Sequence, residues 1–290
     1  MKKIVFIVNP KSGVFRKDSI HDVIESTLDK NQFSYQFAFT EYAGHATELC
    51  KKHIDENADV IVAVGGDGTI NEVARGLVQT DVALGIIPGG SGNGLAHHLK
   101  IPLGVKRAVE VINRQKSIKI DTGILHDQLF VSIAGIGFDG WVAKKFSDES
   151  FRGFVAYLKV VAEEYPGYKP KKYKIRINDK LVKVRALFIT FANSDQFGFQ
   201  TAIAPGARVD DGFIDVTIAR KPPLIEIPIL AGLLYWHKID KSKYVQIYKT
   251  DYLEISTRKK RWANLDGEPI ITPKKFVVKV NPQSLRIIVP

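Results

Sequence analysis

The sequence predicts an α/β domain followed by a β-rich domain, and three observations carry that reading. Short apolar runs alternate with helical patterns up to about residue 120. Beyond that point the pattern changes to two-residue alternation broken by turns. Each of the first four apolar runs is followed by a loop rich in Gly, Ser, Thr and Asn. Strand and helix in alternation give a doubly wound parallel sheet with helices on both faces. Ligands of such sheets gather at the carboxyl ends of the strands.

The elements follow in order. Ile4 to Val8 reads as a buried first strand. The opening MKKIVFIVNP imitates a signal peptide, but its apolar stretch is too short for one and Asn9-Pro10 ends it. A helix is expected around Ser19 to Asp29, a strand over Tyr35 to Phe39, and a helix from Ala46 to Asp55. Val60 to Val64, a helix from Thr69 to Leu77 and Ala83 to Ile87 complete the alternation. In the second half, Gln128 to Ile133, Tyr173 to Ile177, Val182 to Thr190, Ile214 to Ala219, Tyr244 to Ile255 and Phe276 to Val280 read as antiparallel strands. Asn178-Asp179 turns the second of these into the third. Helices are expected over Phe151 to Glu164 and Leu224 to Trp236. The domains are therefore 1–122 and 123–290, with the extreme C-terminal segment free to return to the first.

Composition narrows the class. The chain has 290 residues, 45% hydrophobic and 25% charged, as in an ordinary globular protein able to bury a sizeable core. Cys50 is the single cysteine, so no intrachain disulfide forms and a reducing cytoplasm is the expected home. No apolar run approaches the length of a membrane-spanning helix, so any contact with a bilayer is peripheral. The formal charge of +11 favours an anionic partner, whether phosphate, nucleic acid or an acidic leaflet. Two dense basic stretches, Lys169 to Lys174 and Arg258 to Arg261, each read as a solvated face. No recognised nucleic-acid motif occurs, which argues against that partner.

The four loops are Asn9-Pro10-Lys11-Ser12-Gly13, Thr40-Glu41-Tyr42-Ala43-Gly44-His45-Ala46, Gly65-Gly66-Asp67-Gly68-Thr69 and Pro88-Gly89-Gly90-Ser91-Gly92-Asn93-Gly94. Glycine lets backbone approach a ligand, and amides at a following helix start can hold phosphate oxygens. Neither a GxxxxGK[ST] loop nor a GxGxxG after the first strand is present. Asp67 changes the chemistry, because a carboxylate repels phosphate unless Mg²⁺ or a proton in transfer compensates. It fits a phosphoryl-transfer centre, the alternative being a cap for the helix it precedes.

The order NPKSG, TEYAGHA, GGDGTINE and PGGSGNGLA resembles the catalytic domain of the diacylglycerol kinase and sphingosine kinase superfamily, bacterial lipid kinases included. Gly135-Ile136-Gly137-Phe138-Asp139, the stretch Ala204 to Asp215 and Asp266-Gly267-Glu268 are similar to its later motifs, in order. The resemblance implies a first domain like that of phosphofructokinase and NAD kinase, a β-sandwich second domain, and transfer of phosphate from ATP, with Mg²⁺, to a lipid hydroxyl. By resemblance Asn9, Ser12, Thr40 and His45 surround the nucleotide, Gly66, Gly68, Thr69 and Glu72 lie near its phosphates, and Ser91 and Asn93 complete the wall. Asp67 looks like the general base or a holder of catalytic Mg²⁺, and Glu268 like a second acid brought by domain closure. Asp139 follows a glycine-rich strand end in a region similar to the lipid head-group site of sphingosine kinases, the alternative being a surface or helix-capping aspartate. Asp210, Asp211 and the backbone of Phe213 resemble a structural divalent-cation site, the alternative being a polar turn.

One position departs from the pattern. Gly94 follows Asn93 where diacylglycerol kinases of this superfamily usually carry an acid, and SGNGLA resembles the sphingosine kinase form, which points to a sphingoid base or another long-chain alcohol instead of diacylglycerol; the resemblance as a whole keeps all three as acceptors. The partner expected is lipid at an anionic membrane surface, and a homodimer stays open. The helices at Leu224 to Trp236 and Phe151 to Glu164 offer membrane or acyl-chain contacts, with core packing as the alternative. The rival functions are a catalytically silent lipid- or nucleotide-binding protein and an NAD kinase-like small-molecule kinase.

Overall fold

The computed structural model describes residues 1–12, 17–149, 153–198 and 201–290. Gly13 of the first loop and Phe151 and Arg152 of the expected helix start lie outside them. The chain divides into two units, 1–120 with 283–290, and 121–282.

In the first unit, β1 (Lys2–Val8), α1 (Lys17–Thr27), β2 (Phe33–Phe39), α2 (His45–Asp55), β3 (Val60–Gly65), α3 (Asp67–Leu77) and β4 (Ala83–Pro88) alternate. The short α4 (Gly94–His98), α5 (Val105–Arg114) and the first part of β5 (Ser117–Leu125) follow. The sheet order is β2-β1-β3-β4 with every pair parallel. Strands β3 and β4 are buried at every position, because helices cover both faces of a parallel sheet, and their sequences VIVAVG and ALGIIP are accordingly continuous apolar runs. Each fully buried Val, Leu or Ile contributes roughly 1.5–3 kcal/mol of transfer free energy. Helix α5 was not foreseen. Its sequence VKRAVEVINR buries Ala108, Val109, Val111 and Ile112 against the sheet and turns Lys106 and Arg107 to water.

The second unit is a β-sandwich. It contains β6 (Gln128–Phe130), β7 (Ile133–Gly137), α6 (Phe138–Asp148), α7 (Phe154–Glu164), β8 (Lys171–Ile177), β9 (Lys180–Ala186) and β10 (Phe188–Ala192). Next come β11 (Gln196–Gly198), β12 (Thr201–Ala202), β13 (Ile214–Ala219), α8 (Ile227–Tyr235), β14 (Val245–Thr250) and β15 (Tyr252–Ser256). The hairpin β16 (Arg261–Leu265) and β17 (Glu268–Thr272) precedes β18 (Lys275–Ile288), which returns to the first unit to pair Ile287 with Leu84 of β4. One sheet runs β14-β13-β10-β7-β16-β17, all antiparallel. The other joins β9, β8, β15 and the start of β18. Tyr173, Ile175, Leu253 and Phe276 of one sheet and Ile136, Ile189, Phe191 and Val216 of the other share one core.

Three expected strands are each broken in two. The run Gln128 to Ile133 splits because the Asp266 carboxylate takes the amides of Val131, Ser132 and Ile133, removing them from the ladder. The run Val182 to Thr190 splits at Leu187, whose amide bonds Ala219 as the chain passes from one sheet to the other. The run Tyr244 to Ile255 turns at Asp251, with Thr250 Oγ1 donating to the Tyr252 carbonyl. Among the described residues no helix is long and apolar enough to cross a membrane.

Candidate active site

The four loops after β1 to β4 meet at one sheet edge because neighbouring parallel strands end together. Gly66 and Gly90 are in direct backbone contact: a Cβ on Gly90 would lie 2.6 Å from the Gly66 Cα. No L side chain fits there, which explains glycine in both GGDGT and PGGSGN. Asp67 opens α3. Its Oδ2 accepts the Asn93 amide at 2.8 Å and Oδ1 the Gly94 amide at 2.9 Å. Gly92 completes the cradle, since a Cβ there would stand 2.9 Å from Asp67 Oδ2. Asn93, with φ of 50°, braces its loop by accepting from the Gly90 amide at 3.0 Å and donating to the Gly90 carbonyl at 2.7 Å.

The remaining first-unit residues join this assembly in two groups. Asn9 Nδ2 donates to Thr69 Oγ1 at 3.2 Å, and Ser12 Oγ to the Asn9 carbonyl at 2.7 Å. Glu72 accepts the amides of Gly44 at 2.8 Å and Ala46 at 3.1 Å, tying the loop after β2 to α3. His45 Nδ1 accepts the Glu41 amide and its ring stacks on Tyr42 at 4.5 Å, while Thr40 pairs its amide with the Val8 carbonyl. Gly68 is half-buried in the first turn of α3 and Ser91 is exposed at the tip of its loop. Gly90 and Glu72, expected in the nucleotide cradle, also make contacts between loops that no local pattern reports.

In the second unit, Glu268 opens β17 and is half-buried beside the Asp266-Gly267 turn, where φ is 50° and 96°. Asp266 anchors this turn through the three amides already described. Asp139 is 7% exposed in the first turn of α6, which rules out a surface role. Its Oδ1 accepts from Asn264 Nδ2 at 3.0 Å, and its Oδ2 is buried without a hydrogen-bond partner. Burial pushes its carboxyl up to about 6, against the pull of the Asn264 bond. Asn264 was not singled out from sequence; its place three residues before Gly267, whose amide it also takes, is the signal that would have found it.

The DDGF turn pairs its carboxylates with cations of the protein. Asp210 pairs with Arg208 at 3.1 Å. Asp211 pairs with Lys249 at 2.7 Å and accepts the Phe213 amide at 3.1 Å. Lys249 lies opposite Asp215 in the β13–β14 ladder and reaches its carboxylate at 3.6 Å. Burial pushes the Asp215 carboxyl above its usual range, with the Lys249 charge opposing. Among the described residues no group of three or more His, Cys, Asp or Glu side chains is placed to share a metal ion. As folded, the Asp210 and Asp211 carboxylates are paired with the Arg208 guanidinium and the Lys249 ammonium.

Comparison with known proteins gives a consistent result. Residues 3–125 match the family described as diacylglycerol kinase catalytic domain, and residues 132–289 match the YegS C-terminal NAD kinase beta sandwich-like domain. A diacylglycerol kinase of Bacillus subtilis (strain 168) is 30% identical over 282 residues, covering 92% of this chain and 90% of its own. One from Staphylococcus saprophyticus is 29% identical over 274 residues, covering 92% and 89%. Among solved structures, a diacylglycerol kinase from Bacillus anthracis str. Sterne superposes with a TM-score of 0.77 at 20% identity, over 100% of this chain and 97% of its own. At that identity the likeness concerns the fold.

Proposed function

The chain belongs to the diacylglycerol kinase family, and on that premise we propose that it transfers the γ-phosphoryl group of ATP to a lipid hydroxyl, with diacylglycerol as the acceptor favoured by its relatives' names. The observation that carries the reading is the pair of glycine loops in backbone contact, with the Asp67 carboxylate oriented by the Asn93 and Gly94 amides.

In this reading Asn9, Ser12, Thr40, His45, Ser91 and Asn93 bound the nucleotide, and Gly66, Gly68 and Thr69 lie along its phosphates. Glu72 acts by holding the loop after β2. The lipid oxygen forms its bond to the γ-phosphorus as the bond to the β-phosphate oxygen breaks, ADP leaves, and the hydroxyl proton passes to Asp67. Positioning supplies much of the rate, since a metaphosphate-like centre needs in-line alignment more than a strong nucleophile. Glu268 is the second acid. The Asp67 and Glu268 carboxylates would each offer hard oxygen donors to Mg²⁺, which would neutralise charge on the transferring phosphate. Asp139 and Asn264 serve the acceptor head group.

The test is transfer of label from γ-labelled ATP to diacylglycerol, sphingosine, a long-chain alcohol and NAD offered separately to purified protein. Labelled phosphatidic acid is the expected product. Preferred labelling of sphingosine would support the acceptor reading based on Gly94, and transfer to NAD alone, or to nothing, would overturn lipid kinase activity.

A further inference from the structure

The two basic stretches of the sequence, about ninety residues apart, come together in the β-sandwich. Lys172 and Lys174 of β8, Lys183 and Arg185 of β9, and Arg258 after β15 line one open cleft of about 530 Å³. All are exposed, and among the described residues none has a carboxylate within ion-pair reach.

Their register is what fold stability does not explain. Lys172 stands directly opposite Arg185, and Lys174 directly opposite Lys183, across the β8–β9 ladder. Like charges facing each other on one sheet face destabilise it. One row further along, the same face shows the stabilising solution: Arg176 is opposite Leu181 on one side and Glu254 on the other, and pairs with that glutamate at 3.6 Å. At Lys174 the corresponding β15 neighbour is Ser256, so the acid is missing where two lysines meet. Protection of an exposed edge accounts for cations on β9, the end strand. It does not account for those on β8, which is flanked on both sides.

We propose that this face docks the protein on an anionic phospholipid surface by binding lipid phosphate groups. The inference rests on the lipid kinase reading for its choice of partner. Two features favour a bilayer over nucleic acid. Leu181, 55% exposed, stands on the same face two residues from Lys183, offering apolar contact beside the charges. The aromatic side chain at the cleft, Tyr173, is 2% exposed and presents no ring for bases to stack on. A second copy of this face is disfavoured, because it would set cations against cations.

The experiment is sedimentation of the full chain with phosphatidylcholine vesicles, with and without phosphatidylglycerol, in the absence of nucleotide. Wild type is expected on the anionic vesicles at low salt and released at high salt. At about 1 kcal/mol per basic residue near the surface, neutralising two costs roughly 30-fold, so the double variant Lys174→Glu/Lys183→Glu is expected to lose at least that much affinity. Its melting temperature should stay close to that of wild type, since facing acids replace facing lysines among the cations Lys172, Arg185 and Arg258. Wild-type binding insensitive to salt or lipid charge, equal binding by the folded variant, or tighter binding of tripolyphosphate or an oligonucleotide than of vesicles would overturn the proposal. Activity on acceptor dispersed in non-ionic detergent should be the same in wild type and variant. Wild type that transfers phosphate but does not bind anionic vesicles sinks the docking face alone, whereas wild type that binds them but transfers to no lipid sinks the kinase reading alone.

Discussion

GGDGT and DDGFID look alike as letters, yet the structure uses their carboxylates in opposite ways. At Asp67 the partners are backbone amides, brought close because Gly66 and Gly90 leave no side chain between the loops. At Asp211 and Asp215 the partner is the Lys249 ammonium, delivered by strand register. Amides fix the direction of a carboxylate and leave its charge in place. An ammonium cancels that charge and makes the turn a structural joint. What lies opposite a carboxylate therefore separates a candidate reaction centre from a fastening.

The strongest way to break this contrast is to force the glycine loops apart. Gly90→Val places a β-branched side chain against the Gly66 backbone, and phosphoryl transfer should fall about 100-fold or more, as misplacement of about 1 Å costs an enzyme. The matching change in the second unit, Gly206→Ala, meets nothing within 4 Å and should leave both activity and melting temperature unchanged.

Asp139 gives the next largest effect, read as stability against pH. Its folded carboxyl, raised to about 6, binds a proton more tightly than in the unfolded chain. The protonated form is thus the stabilised one: its contribution is complete below the unfolded value and is lost as pH rises through about 6. Asp139→Asn, neutral at every pH, should remove this slope and gain up to about 3 kcal/mol at pH 8 relative to pH 4. Melting curves of the two proteins at those pH values check it, and parallel curves would contradict burial as the cause.

Smaller again is the effect at the cation-filled turn. Lys249→Met leaves Asp211 and the buried Asp215 without their ammonium and should cost about 1–2 kcal/mol, partly recovered in millimolar Ca²⁺. The melting temperature of wild type without nucleotide should be indifferent to EDTA. A fall in that temperature on chelation would show that a metal, and not Lys249, holds the turn.

Much of this architecture is legible in the sequence because it depends on local pattern. Continuous apolar runs give the parallel strands, and alternation gives the sandwich strands. The loops at the strand ends follow from that order. What stays hidden depends on contacts between distant segments. Asp266 interrupts a strand 133 residues earlier by drawing off its amides. Helix α6 starts within a string that reads as a strand end, and carries Gly140 because a Cβ there would stand 2.2 Å from the Trp262 carbonyl. Glycine weakens the local helix signal while making the packing feasible. The basic stretches illustrate the same limit: each reads as a solvated face, and β-sheet pairing makes them one surface.

The central claim is that Asp67 takes the acceptor's proton, and the most direct measurement compares Asp67→Asn with wild type for transfer from γ-labelled ATP to diacylglycerol. An asparagine keeps the size and one acceptor oxygen but no basic carboxylate. The account predicts a loss in kcat of about 100-fold or more, in the range of a removed general base, with the melting temperature lowered only modestly and nucleotide binding retained. A folded variant that turns over within a few-fold of wild type would contradict it.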